Sequence, residues 1–321
     1  MDPKDFSSDQ TEHRFGGPWT EVKLDAVEYY LKFYTQALKD KPSSDNPFVL
    51  WYVDAFAGTG DRATDQVTGG LFEGTPSHLK TVRLAGSASR ALEVVPAFQR
   101  FVFIEQRPEF CAALESLKTD HPGRTIECIE GDANLILPKL FGSSPWKGQR
   151  RWGDPLHRAV VFLDPYDLVD WSTLECLATT KAVDLWFLFP IASVLRQAAR
   201  SYDAIDTYKA AYLDRAFGTA DWRTELYKPG LQAPLLADFG SPLTRGERPE
   251  IEQYVKRRLA TLFPYVSDPL PLLMPKGAQL FSLFFATANP SNPAIRLAKN
   301  CMSDLLKKYG RPASHRKSSR R

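Results

Sequence analysis

The chain has 321 residues, 43% of them hydrophobic, enough apolar material for the full core of one large domain or of one domain carrying a substantial insertion. Its longest apolar runs, such as "DLWFLFPIASVL", fall short of the roughly 18 residues a bilayer span requires, and no charged-then-apolar leader opens the sequence, so a soluble cytoplasmic protein without a membrane partner is expected. Lysine and arginine number 41 against 38 acids, a formal charge of +3 that names no partner; four widely spaced cysteines without a CxxC pair and five scattered histidines argue against a disulfide scaffold and a metal site.

After a polar leader, "PWTEVKLDAVEYYLKFYTQAL" places Val22, Val27, Tyr30, Leu31, Tyr34 and Leu38 near a helical period. An amphipathic helix over 18–40 follows, ended by Pro42 to Pro47. The chain then alternates between strand and helix patterns. "FVLWYVDAF" reads as a buried strand ending in Gly58-Thr59-Gly60, "RFVFIEQR" as a second ending in Glu105, and "TIECIEGDAN" as a third ending in Asp132. "RAVVFLDPY" and "AVDLWFLFP" supply the fourth and fifth, with helix-like "PEFCAALESLKT", "ANLILPKLF" and "DWSTLECLATT" between strands. Such alternation predicts βαβ crossovers and an α/β, Rossmann-like parallel sheet covered on both faces. Residues 191 to about 265 read as a mostly helical insertion or cap; "DPLPLLMP" and "AQLFSLFFATAN" then supply two more strands before a closing helix. The whole chain is thus expected to form a single domain.

The acidic residues fall at the carboxyl ends of strands, where open α/β sheets bind ligands. Seven strands, with a glycine turn after the first and a carboxylate after the second, match the plan of class I S-adenosylmethionine-dependent methyltransferases. In that plan Gly58 and Gly60 let the backbone approach a ligand closely. Asp54 would orient the methionine part of S-adenosylmethionine, Glu105 would accept the ribose hydroxyls, and Asp132 would take the adenine amino group. Phe56 and Ala133 complete the expected cofactor-binding set. Read singly, the glycine turn is a tight loop, and Glu105 or Asp132 a helix cap. A dinucleotide site is disfavoured: it needs G-x-G-x-x-G running into a helix about 20 residues before the acid, whereas Glu105 lies 45 residues beyond Gly60.

The stretch "AVVFLDPYDLVDW" ends the fourth strand with Asp164, Pro165 and Tyr166. Amino-methyltransferases carry Asp-Pro-Pro-Tyr or a similar motif there, because an exocyclic base amine has its lone pair delocalised into the ring. A carboxylate and a main-chain carbonyl accepting its N–H groups aim that lone pair and favour charge developing on nitrogen. Asp164 and the Pro165 carbonyl suit those roles, with Tyr166 stacking on a flipped base. The second proline is missing here, and Asp-Pro is also an ordinary turn former.

The segments "RFGGPWTEVKLDAVEYYLKFY", "YVDAFAGTG", "FIEQR", "GDAN" and "FLDPYDLVDWSTLECLATTKAVDLWFLFP" together resemble the three-Cys-motif partner protein family (TcmP), a bacterial group with a methyltransferase-like core. The resemblance runs from Phe15 to about Pro190 and more loosely over the final strands and helix. It implies a functional link to a separate three-cysteine-motif protein resembling radical S-adenosylmethionine enzymes. Two readings then stand: an enzyme that methylates a nucleobase through the Asp164, Pro165 and Tyr166 loop, or a non-catalytic binding module for that partner, which the shortened "DPY" supports. It also draws attention to Trp19, Thr20 and Lys23, with Lys23 reaching the cofactor carboxylate or lying on a solvated helix face. Where the family usually has Gly after "DPY", this chain has Asp167. Arg196, Arg200, Lys256, Arg257, Arg258, Lys307, Lys308, Arg316 and Lys317, with Tyr202, Tyr208 and Tyr212, are a candidate DNA or RNA surface, against which stand the interleaved Asp203, Asp206 and Asp214.

Overall fold

The computed structural model describes residues 18–43, 45–68, 78–147, 154–229, 243–275 and 277–310. In chain order, α1 (Pro18–Leu38) leads into β1 (Val49–Asp54), and a hairpin of β2 (Asp61–Thr68) and β3 (His78–Ala85) precedes α2 (Ser87–Leu92). Next come β4 (Arg100–Glu105), α3 (Pro108–Asp120), β5 (Ile126–Glu130), α4 (Ala133–Phe141), β6 (His157–Leu163), α5 (Trp171–Thr179) and β7 (Val183–Phe189). The rest comprises α6 (Ile191–Gln197), α7 (Thr207–Phe217), α8 (Trp222–Glu225), β8 (Tyr227–Pro229), β9 (Leu243–Arg245), α9 (Arg248–Ala260), β10 (Tyr265–Val266), β11 (Leu270–Leu273), β12 (Gln279–Thr287) and α10 (Asn292–Tyr309).

The central sheet has the order β5-β4-β1-β6-β7-β12-β10, with β11 also pairing β12. The five strands from β5 to β7 are parallel, and β12 runs antiparallel to β7. The chain builds outward from β1 through β4 to β5, then returns to the other side of β1 with β6 and β7. A switch point therefore lies between β1 and β6, and the crevice it opens is at the carboxyl ends of those strands. This is a Rossmann-like, doubly wound arrangement.

Both faces of the sheet are covered because its strands are apolar on both sides. One face packs Trp51, Val53, Val161 and Leu185 against α4, α5 and the helices of the insertion. The other packs Tyr52, Phe103, Phe162 and Trp186 against α1, α2, α3 and α10.

Three details differ from the sequence reading. The first helix ends at Leu38, short of residue 40, where Asp40 turns into the left-handed region at φ 58°. The polar stretch after the glycine turn is a two-stranded ribbon, β2–β3, that pairs only with itself and so leaves no apolar run in the sequence. β10 adds a further short strand beside β12, which makes the central sheet eight-stranded. Between β7 and β10 the insertion contains α6 to α9 and the small β8–β9 pair.

Candidate cofactor and acceptor site

The glycine turn begins where β1 ends. Gly58 has φ +61° and Gly60 φ +80°, a region where a side chain is strained. A Cβ at Gly60 would come within 2.9 Å of Leu117, whereas the space over Gly58 is open. The Gly60 carbonyl accepts the Gly86 amide at 2.9 Å and Asp61 pairs with Ala85, so the neck of the hairpin closes at once. The ribbon is thus looped out, and α2 begins beside the turn as though it followed directly.

Asp54, the last residue of β1, is fully buried. Its carboxylate accepts bonds from the Phe56 amide at 3.3 Å, from Tyr52 Oη at 3.3 Å and from Ser87 at the start of α2. Burial pushes the carboxyl up to about 6, with Asp164 adding to the rise while Ser87, the Phe56 amide and Lys23 oppose it. Glu105, the last residue of β4, is also buried. Its Oε2 accepts the Gly58 amide at 2.9 Å, and its Oε1 accepts the amides of Gln106 and Arg107 at 2.9 and 3.0 Å. Glu105 therefore ties the glycine turn to β4 and leaves acceptor capacity mainly on Oε2.

Asp132 lies beyond the end of β5, where it is the N-cap of α4 and accepts the Asn134 amide at 2.8 Å. Ala133 beside it is buried, and Phe56 in the turn is half-buried. Asn134 carries the connection onward: its Oδ1 accepts the Asp170 amide at 2.8 Å and the Thr173 hydroxyl at 3.2 Å, and its Nδ2 donates to Leu168 O at 3.3 Å.

Asp164 follows β6 and pairs with Lys23 of α1. The Lys23 side chain is only 5% exposed, and its ammonium lies 5.3 and 5.7 Å from the ring centroids of Trp19 and Phe162. Pro165 is buried, whereas Tyr166 is 64% exposed at the rim. Partial burial raises the Tyr166 phenol, helped by Glu105 and Asp164. The loop beyond is held by Arg215 of α7, which donates to Asp167 at 2.6 Å, Asp170 at 2.7 Å and Leu168 O at 3.3 Å. Asp167 thus has a structural partner in the insertion.

The geometry brings Lys23, Asp54, Gly58, Glu105 and Asp164 to one end of the sheet. Sequence reasoning missed Ser87, Asn134 and Arg215. The small-residue run Gly86-Ser87-Ala88-Ser89 opening a helix was the available signal for Ser87; nothing local marks Arg215, whose partners lie 45 and 48 residues away. The expected basic surface is largely self-neutralised. Arg200 pairs with Glu247, Lys256 with Asp268, Arg257 with Glu225 and Lys307 with Asp304. Arg258 donates to the carbonyls of Phe217 and Gly218, and Arg196 to Ser193. Lys308 lies against Tyr29 and Tyr309. Of the three tyrosines, Tyr208 is exposed, Tyr212 is half-buried, and Tyr202 packs against Trp222 and Tyr227. Arg316 and Lys317 lie outside the described residues.

The residues fit a zwitterionic, hydroxyl-bearing cofactor on two observations. A buried cation and a buried carboxylate, Lys23 and Asp54, sit at the same end of the sheet. The Thr20 hydroxyl, one turn before Lys23 on the same side of α1, is buried without a hydrogen-bond partner among the described residues. No group of three His, Cys, Asp or Glu among the described residues is placed to hold a metal ion, and no described helix is long and apolar enough to cross a membrane.

No protein-family model matches the sequence, and no curated protein matches it. Solved structures do resemble the fold. Protein LPL1258 from Legionella pneumophila, of family DUF519, is 14% identical over 92% of this chain and 94% of its own, with a TM-score of 0.48. An S-adenosylmethionine-dependent methyltransferase from Clostridium acetobutylicum is 9% identical over 83% and 96%, at 0.32. An rRNA methylase from Streptococcus thermophilus is 12% identical over 69% and 97%, at 0.29. The strand order and the buried groups at the switch point are what the functional reading rests on.

Proposed function

We propose that this chain is an S-adenosylmethionine-dependent methyltransferase acting on an exocyclic amine of a nucleobase in DNA or RNA, and that it belongs with the three-Cys-motif partner proteins, working beside a separate three-cysteine, radical-S-adenosylmethionine-like protein. The observation that carries the reading is the convergence of Asp54, Glu105, Lys23 and Asp164 on the crevice between β1 and β6. When bound, S-adenosylmethionine supplies an electrophilic methyl group. Lys23 and Asp54 offer opposite charges to its amino-acid part, the Thr20 hydroxyl offers an unused donor, and Glu105 Oε2 and Asp132 offer acceptors to its nucleoside. Asp164 and the Pro165 carbonyl accept the N–H groups of the amine and favour positive charge developing on its nitrogen. Tyr166, exposed at the rim, gives the base a ring to stack on.

A second reading has an observation of its own. Lys23 occupies the Asp164 carboxylate, and together with the missing second proline this favours a methyltransferase-fold binding module for the three-cysteine partner. Transfer of a labelled methyl group from S-adenosylmethionine into total nucleic acid, with and without the partner, separates the two. The enzyme reading expects incorporation by the native chain that falls at least about 100-fold in Asp164→Ala. Cofactor binding with no transfer under either condition establishes the binding module instead.

A further inference from the structure

A cavity of about 410 Å³ lies at the opposite end of the sheet, beneath the amino ends of β1, β6 and β7. It is within the size range of small-molecule sites. Arg158, the second residue of β6, lies on the cavity wall, and Asp164 follows the end of the same strand. Six residues at about 3.3 Å each put the two roughly 20 Å apart, so this cavity is separate from the crevice described above.

The lining has two characters. Leu38, Phe48, Ala294 and Leu297 make an apolar wall, and Arg158 and Lys41 bring two cations to it. Neither cation has a carboxylate partner within ion-pair distance among the described residues. The Arg158 guanidinium lies over the Phe48 ring at 4.9 Å and, among the described residues, donates only to the neighbouring His157 carbonyl, at 3.3 Å. Among the described residues the one acid in the wall is Asp184, which accepts from Tyr30 Oη at 2.6 Å and from the Thr287 hydroxyl and also feels the charge of Arg158. The cavity also meets the start of α10, an 18-residue helix whose N-cap, Ser291, makes no side-chain capping bond. Its first-turn amides add partial positive charge on that side. Two cations, one satisfied carboxylate and a helix start leave the cavity net positive beside an apolar wall.

We propose that this cavity is a second ligand site, for a small monoanion whose carboxylate, sulfonate or phosphate meets Arg158 and Lys41 while an apolar ring or chain fills the space against Phe48 and Leu297. The site does not depend on the methyltransferase reading, and it gives the fold a ligand position away from the reacting end.

Anilinonaphthalene sulfonate, an aromatic anion that fluoresces when shielded from water, is a direct probe, and N-phenylnaphthylamine is its uncharged counterpart. Titration into the full chain, with and without excess S-adenosylhomocysteine, is expected to show the same saturable binding of one anionic probe per chain and at least about tenfold weaker binding of the neutral one. Lys41→Gln, at an exposed position, and Arg158→Gln are each expected to weaken the anion by about tenfold, while leaving neutral-probe binding nearly unchanged. Ala294→Trp, which fills the cavity, is expected to abolish both. Circular dichroism confirms folding of each variant. No saturable binding by the native chain, equal affinity for the two probes, or full retention of binding in both Lys41→Gln and Ala294→Trp overturns the proposal.

Discussion

Lys23 holds the site together electrostatically. It is the buried cation between two carboxylates, paired with Asp164 and drawing down the Asp54 carboxyl that burial raises to about 6. Replacing it with methionine keeps most of the volume and removes the charge, leaving two acids facing each other. Lys23→Met is therefore predicted to lose about 2 kcal/mol of stability near neutral pH, and to regain much of it in acid as Asp54 takes up a proton. Urea denaturation at two pH values reads this directly, and a loss independent of pH would rule it out. Asp184 allows the cleaner linkage test. Burial raises its carboxyl to about 6, against the opposing bonds from Thr287 and Tyr30 and the charge of Arg158. A folded-state value above the unfolded one adds stability at low pH that disappears as pH rises through the folded value. Asp184→Asn removes that dependence. Its stability relative to the native chain is predicted to rise between about pH 4 and pH 7, by at most roughly 3 kcal/mol.

At the scale of elements, the site depends on a helix and a loop that are each clamped from outside. Arg90 of α2 binds Glu21 at 2.6 Å, Asp25 at 2.7 Å and Glu28 at 3.1 Å, three acids along one side of α1. The clamp sets the helix that carries Thr20 and Lys23. Because the acids are partly exposed, Arg90→Gln is predicted to cost only about 1 kcal/mol of global stability. Amide exchange should nonetheless quicken along α1, and cofactor binding should weaken. Arg215 of α7 and Asn134 of α4 both hold the loop after Tyr166, through Leu168 and Asp170. Arg215→Ala is predicted to raise amide exchange across residues 167–170 while the strands of the central sheet stay protected. Unchanged exchange there would remove α7 from any role in shaping the acceptor loop. These elements differ in how legible they were. Strands buried on both faces leave unbroken apolar runs, so β1, β4, β6 and β7 could be read, the first three with the acids that end or follow them. The β2–β3 ribbon carries no such run in its sequence, and the Arg90 and Arg215 clamps join residues whose neighbourhood only the folded chain creates. Asp132 was visible as an acid after the third strand, but its role as the cap of α4 was one of two readings.

For the whole molecule, the strand order carries the account. Winding outward from β1 in both directions creates a single crevice at the carboxyl ends of β1 and β6, and the sequence places its buried carboxylates and buried lysine there. The amino ends of the same strands hold the net-positive cavity, so the two ends of one sheet present different chemistry. Among the described residues, the insertion from α6 to α9 commits Arg200, Lys209, Arg215, Arg223, Lys256 and Arg257 to ion pairs, which weakens the case for a broad cationic surface that would bind nucleic acid. The proposed function requires the crevice to bind S-adenosylmethionine or its demethylated product. Calorimetric titration of S-adenosylhomocysteine into the full chain tests it most directly. The account predicts one molecule bound per chain, with affinity falling at least about tenfold, a loss of 1.4 kcal/mol or more, in Glu105→Ala and in Lys23→Met. No heat of binding by the native chain at millimolar ligand would contradict it.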